Sequence, residues 1–567
     1  MKGGDKRRDW KDNGVILYVS KKRKEMMSMI RVNKILCISL LVCLVVVGVA
    51  SMGAGEEKRI LRYTQAFPTA IDPAVGGDYS STRALTILYD TLVYPDKTGA
   101  PQSHVAESWE VSPDGKTWTF HLRSGVKFHN GDELTAEDVA FSMERLVTIG
   151  EGWAFLFTGL VERTELVDKY RVRFSLKNPF GPFLTILYKF YIANKDIIVA
   201  NIKKPGAYGD FGDYGRDYLL THDVGSGPYM VKEFSVGEYL LMERFPKYWG
   251  YVASNAPDEV KQIGTTESVT IKTMMSRQEL EISDQWQSLE SLRSLDRLEG
   301  VDIARLGLGG VFHYMINTRK PPTDDIHFRK AIAFATDYKT LVTQILPGYK
   351  QGWGPVSASV PGHDPKVFQY SFDLDKAREE LKKSKYYAQL DKYPVELHWV
   401  GEVPSEEKVA LLLQASLAKI GVTAKVVKDP WLSVVEYMAK EDTSPHTIPM
   451  FLPSDFPEAG ALLKSRYHSV SAHTFTQNEW LRDTKYDKMI EEALATVDRG
   501  ERFAKYVKLQ HYIADLCPTL FLADDLSQHA YQTTYMDWPA ARGEGIPIIG
   551  YELDARWIQI YPEKKAR

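Results

Sequence analysis

Two hydrophobic periods alternate along this chain, and no internal repeat underlies them. Behind the turn Pro113-Asp114-Gly115, the apolar residues Trp118, Phe120 and Leu122 interleave with Thr117, Thr119, His121 and Arg123, the period of a half-buried strand. The period then changes. Thr135 offers a helix N-cap with Asp138 three residues on, and Val139, Met143, Leu146 and Val147 follow at helical spacing. The spacing predicts a second helix over 326–346, through Phe328, Ala331, Ile332, Ala335 and Leu341, and a third over 405–420 that stops at Gly421. Val422 to Val427 reads as a strand, and 486–516 as one or two helices broken near Asp498-Arg499-Gly500. A chain of 567 residues built this way is an α/β protein of several domains.

Charge separates the N-terminus from the rest. Lys21 to Lys24, Arg31 and Lys34 precede an uncharged apolar run from Ile35 to Ala50, and small residues follow at Ser51, Gly53, Ala54 and Gly55. Basic, apolar, then small is the order of an export signal, with removal expected near Ala50 or Ala54. Retention as an anchor is the alternative, because the run lies near the ~17-residue lower limit for a membrane span. Cys43 sits inside the apolar run and not at its end, which argues against a lipid anchor. The formal net charge of −3 combines +7 over residues 1–34 with −10 over 51–567. So acidic a body lacks the basic surface on which nucleic-acid binding depends. Cys37 and Cys43 fall within the signal and leave Cys517 alone. One thiol makes neither an internal disulfide nor a multi-cysteine zinc site, and its apolar neighbours predict a buried, inert side chain.

Signatures of catalysis are missing. The chain has no HExxH, CxxC, GxxxxGK[ST] or GxSxG pattern. His446, His468 and His473 come nearest to a metal set, but the last two are five apart and share no face of a helix or strand. The acidic pairs Asp324-Asp325 and Asp524-Asp525 read as turns or caps. These residues point to no enzyme, cofactor or metal.

A longer pattern points to a family. Val111 to Glu144 reads VSPDGKTWTFHLRSGVKFHNGDELTAEDVAFSME. Phe67 to Pro73 (FPTAIDP), Gly225-Ser226-Gly227-Pro228-Tyr229, His313 to Asn317 with Phe328 to Ile332 and Asp337, Asp375 to Arg378, and Ile420-Gly421-Val422 accompany it in order. With these motifs the chain from about 57 to 540 resembles the family 5 extracytoplasmic solute-binding proteins of ABC transporters, the oligopeptide, dipeptide and nickel binders. The motif residues themselves make sense as turns, caps and backbone locks and are not nominated as site residues.

The resemblance implies a two-lobed periplasmic-binding-protein fold of class II, in its large three-domain variant, with a ligand cleft between the lobes. Lobe one would combine residues 57–95, 222–306 and 525–567, with an extra domain at 96–221, and lobe two would span 307–524. It also implies a monomer, periplasmic or attached to the cell surface, that captures di- or oligopeptides and delivers them to ABC permease subunits with a cytoplasmic ATPase. Peptide-binding relatives hold the ligand's α-ammonium with an Asp that follows a strand in lobe two. Asp455, in Thr447-Ile-Pro-Met-Phe-Leu-Pro-Ser-Asp-Phe-Pro-Glu458, lies where that Asp belongs; its other reading is a turn cap. Trp431 falls where relatives place a pocket Trp. Trp286 follows the strand-like Leu280-Glu281-Ile282, Phe67 sits beside the end of the opening strand, and Trp353 stands between two glycines near the interlobe edge. Trp399 belongs with the core. The segment departs from the peptide binders by having no Trp before the Asp and no Arg for a ligand carboxylate. An oligosaccharide held on aromatic platforms is therefore the alternative ligand, and a secreted hydrolase the alternative class.

Overall fold

The structure, a computed structural model, describes residues 57–401 and 403–565. The expected export signal at 1–50 lies outside the described residues. Trp118, Phe120 and Leu122 turn inward from the strand Thr117–Leu122, each 5% exposed or less. Thr135 caps the helix Ala136–Ile149: its hydroxyl accepts from the Glu137 N–H at 3.3 Å, and the Asp138 carboxylate accepts from the Thr135 N–H at 2.9 Å. Two donors that the helix ladder cannot serve are thereby satisfied.

The pattern over 326–346 does not give one helix. It stops at Ala335, and Asp337 starts a new turn at Tyr338–Thr340 by accepting from the Thr340 N–H at 2.9 Å. A carboxylate that bonds nearby backbone competes with the helix ladder, and here it wins. Residues 486–516 belong to two helices, Thr484–Ala495 and Arg499–Leu516, the second capped by Asp498. Cys517 follows, 1% exposed, its thiol pKa raised by burial.

These elements assemble into separate sheets. In the first lobe Ile60–Gln65 lies parallel to Glu259–Gly264, which continues antiparallel into Tyr239–Arg244 and then Tyr229–Ser235. An antiparallel ribbon of Val301–Leu306 and Ser527–Gln532 joins this sheet through Ile282, which bridges to Tyr63 on one side and Tyr531 on the other. The core beneath them unites Leu61 and Val260 with Ile558 and Ile560. A second four-stranded sheet orders Ala106–Val111, Thr117–Leu122, Arg171–Leu176 and Val161–Asp168. Gly225 locks the chain beside it: a Cβ there would lie 1.9 Å from the Leu88 carbonyl oxygen. Next to it the Ser226 hydroxyl donates to buried Asp90 at 3.0 Å. This motif holds the fold together.

The second lobe is a five-stranded mixed sheet ordered Ala424–Asp429, Val395–Val400, Thr447–Leu452, Val311–Ile316 and Thr519–Asp524. Every residue of Val311–Ile316 is buried. Phe312, Tyr314 and Ile316 enter one core, while Val311 and Met315 enter the other, as expected of a sheet covered on both faces. Trp399 is 4% exposed in the first of these cores.

Two short connections link the lobes: Gly307–Gly310, from the ribbon into the second sheet, and Asp525-Leu526, leading back. They touch, because the Asp525 N–H donates to the Gly310 carbonyl at 3.0 Å. A Cβ on Gly310 would lie 2.7 Å from Asp525 Oδ2 and 2.9 Å from Asp525 Cβ, so the crossing closes only around a glycine.

Candidate functional site

The strand Thr447–Leu452 is ended by Pro453, and the chain turns through Ser454 and Asp455 before the helix Ala459–Tyr467. Both sides of the turn are fixed. The Ser454 hydroxyl donates to the Phe456 carbonyl at 2.6 Å. Glu458, fully buried, accepts from Arg502 at 3.0 and 2.7 Å and from the Tyr506 hydroxyl at 3.0 Å. Arg466 underlies the turn, 2% exposed, donating from Nη2 to the Pro453 carbonyl at 3.0 Å while its Nε and Nη1 have no hydrogen-bond partner. Asp455 therefore stands on a rigid base. Among the described residues nothing donates a hydrogen bond to its carboxyl, and burial pushes its pKa up, an effect that Arg466 opposes.

Asp455 lines a narrow cavity between the lobes that holds about 20 Å³, room for about one water. Pro361, Leu308 of the crossing connection, Trp153, Lys189 and Ile548 also line it. Lys189 ends the turn Leu187–Lys189, where Leu187, Tyr188 and Phe190 are all fully buried. That packing holds the lysine at 3% exposure. Its ammonium donates to the Ile549 carbonyl at 2.8 Å and lies 4.8 Å from the Trp153 ring centroid. Burial pushes the Lys189 pKa down to about 7, the Glu552 charge opposing. Two larger concavities exist, one along the helix Ala136–Ile149 and one around Tyr94 and Trp557, but neither lies between the lobes.

The profile of the bacterial extracellular solute-binding proteins, family 5, matches residues 100–469. The chain belongs to this family. The relative named "Probable D,D-dipeptide-binding periplasmic protein DdpA", from Escherichia coli strain K12, is 30% identical over 81% of this chain and 86% of its own length. Among solved structures, HbpA2 from Haemophilus parasuis superposes with a TM-score of 0.75 at 21% identity, covering 88% of this chain and 99% of its own. The ABC transporter-associated periplasmic binding protein DppA from Helicobacter pylori, in complex with the peptide STSA, gives a TM-score of 0.69 at 23% identity over 90% and 99%. The two-lobed architecture is thus that of the family 5 proteins.

Of the side chains singled out from the sequence of this family 5 protein, Asp455 lines the interlobe cavity and the four aromatics do not. Phe67 packs on Phe234 at 5.3 Å between ring centroids. Trp286 is 59% exposed on the first lobe, edge-on to Tyr79 at 5.8 Å. Trp353 donates its indole N–H to the Val367 carbonyl at 2.8 Å. Trp431 opens the helix Trp431–Met438 and lies edge-on to Phe475 at 5.2 Å.

Sequence reasoning missed Lys189, Trp153 and Arg466. The signal for Lys189 was a lone cation inside the apolar run Leu187-Tyr-Lys-Phe-Tyr-Ile192. The sequence reads Asp524-Asp525, like Asp324-Asp325, as turns or caps. Asp325 does cap a helix, accepting from the Phe328 N–H at 3.0 Å. Asp525 instead sits in the crossing connection, where burial pushes its pKa up to about 6.

Proposed function

We propose that this family 5 protein is exported, captures short peptides between its lobes as a monomer, and releases them unchanged to membrane permease subunits served by a cytoplasmic ATPase. The observation that carries this reading is the Asp455 carboxyl, held rigidly at an interlobe cavity and bonded to no donor among the described residues. A ligand ammonium supplies the missing charge-assisted bond. Closure then removes water from that pair and strengthens it. The cavity as it stands holds about 20 Å³, room for about one water, so the lobes must part to admit a peptide. The name of the Escherichia coli relative agrees with a peptide ligand. Asp455 and Lys189, both lining the cavity, favour a charged peptide over a neutral oligosaccharide. In this reading lobe one comprises 57–95, 222–306 and 525–567, with the extra domain at 96–221. Trp286, Trp353, Trp431 and Phe67 then serve only ligands that extend beyond the cavity.

Calorimetry on Asp455→Asn tests the assignment. A dipeptide with a free amine should bind more than tenfold more weakly, and its N-acetyl form within about twofold of wild type. Equal losses for both would remove Asp455 from the amine-reading role. At a hundred times its dissociation constant, ligand stabilises by about 2.7 kcal/mol, so thermal melting gives an independent readout. Mass spectrometry should recover every peptide intact, and sustained cleavage by homogeneous protein would overturn the binding role.

A further inference from the structure

The lobes meet at a second place besides the crossing. The loop 179–181, in the stretch 96–221 proposed as an extra domain on lobe one, lies on lobe two. Its Gly181 N–H donates to the Leu494 carbonyl at 2.7 Å. A Cβ on Gly181 would lie 1.9 Å from the Thr496 carbonyl oxygen and 2.6 Å from Arg502 Nη1, both in lobe two. The φ of Gly181 lies outside the left-handed region, so its own loop does not call for a glycine. The meeting with lobe two does. Phe180 beside it lies edge-on to Phe456, 6.1 Å between ring centroids, and packs against a core of each lobe. The turn Pro113-Asp114-Gly115 rests on the same segment, where a Cβ on Gly115 would lie 2.8 Å from Val497 Cγ2.

These contacts adjoin the candidate site, since Phe456 follows Asp455 directly. Arg502 ties the two together. Its Nη1 donates to the Thr496 and Val497 carbonyls at 2.9 and 2.8 Å, while its Nε and Nη2 hold Glu458 beyond the Asp455 turn. One guanidinium thus fixes both the landing place of the loop and the turn that carries the acid. We infer that the stretch 96–221 is a clasp: when the lobes come together, the loop 179–181 seats on 494–497 and Phe456 and sets how long the cleft stays shut over a ligand. Phe180 and Gly181 are positioning residues, because neither lines the interlobe cavity and both act through the lobe they hold. Release of a ligand requires the lobes to part, and parting breaks the clasp. Its strength therefore enters the dissociation rate, whereas an open protein meets its ligand before these contacts exist. The inference rests on the proposed capture between the lobes and assigns part of that work to the extra domain.

Stopped-flow tryptophan fluorescence of the whole exported protein with dialanine, in its L,L and D,D forms, tests the clasp. Gly181→Ala and Phe180→Ala should each raise the dissociation rate about tenfold and change the association rate less than about twofold. The first variant blocks the landing and the second removes the ring, so the two guard against a defect peculiar to either. Hydrogen exchange reads the contact itself, because the Gly181 N–H donates across the lobes. Saturating dialanine should slow exchange at Gly181 about tenfold in wild type and less than about twofold in Phe180→Ala. Dissociation rates equal to wild type in both variants overturn the inference, and so does exchange at Gly181 that bound dialanine leaves unchanged. An association rate that falls as far as the dissociation rate rises also overturns it, since the loop would then shape the site and not hold it shut. If neither dialanine binds, the peptide reading fails and the clasp is judged on the free protein. Faster exchange at Gly181 and a larger radius of gyration in Phe180→Ala then support it, and values equal to wild type overturn it.

Discussion

Glu406 is 1% exposed in the second lobe, and its carboxyl accepts one bond, from the Val400 N–H at 2.9 Å. Burial raises its pKa from 4.5 to about 8. A group raised in the folded state adds stability that is complete below the unfolded pKa and is lost as pH rises through the folded one. Between pH 4.5 and 8 the unfolded chain is ionised at this position and the folded protein is not, so wild type loses about 1.4 kcal/mol per pH unit from this residue. Glu406→Gln can still accept the Val400 N–H but cannot ionise. Urea unfolding of this variant should show a shallower decline from pH 5 to 8. A decline parallel to wild type would mean that Glu406 is ionised in the folded protein. Glu479, fully buried with one oxygen unbonded and its pKa likewise raised to about 8, keeps the remaining slope in the variant.

Among the elements, the turn that presents Asp455 depends on a partner far along the chain. Arg502, on the helix Arg499–Leu516, is 3% exposed and holds Glu458 through two hydrogen bonds. Arg502→Met leaves a carboxylate buried and unpaired, which should cost about 3–5 kcal/mol in denaturant unfolding and loosen the Asp455 turn enough to weaken peptide binding. A loss under 1 kcal/mol would show that Glu458 finds another partner or a proton. Patterns confined to a few residues were legible in the sequence: the Thr135 cap, the strand through Trp118 and Phe120, the break at Asp498. The break at Asp337 was not, because apolar spacing continues through it while the deciding bond comes from the aspartate itself. The cavity was half legible. Asp455 follows a recognisable strand, but Lys189 lines the cavity with it from 266 positions earlier, and no local period encodes that meeting.

For the whole molecule, the crossing at Gly310 and Asp525 is the joint about which the lobes are set. Gly310→Val would push the two connections apart, since a Cβ there already meets Asp525 Oδ2 at 2.7 Å. Ligand affinity should drop about tenfold, and small-angle scattering should register a smaller contraction on adding saturating dipeptide than in wild type. An unchanged contraction would exclude the crossing as the joint. The wiring of the ribbon carries a further consequence for how the chain is made. The second-lobe strands all lie within 311–524 and can pair as soon as that stretch is complete, whereas Val301–Leu306 waits for Ser527–Gln532. A chain leaving a membrane channel from its N-terminus can pair its opening strand once Glu259–Gly264 has emerged, but must hold Val301–Leu306 unpaired until Ser527–Gln532 follows. The first lobe, and with it the cleft, is completed only after residues 527–532 have passed through, so a chain stalled before that point has no finished place to hold a ligand.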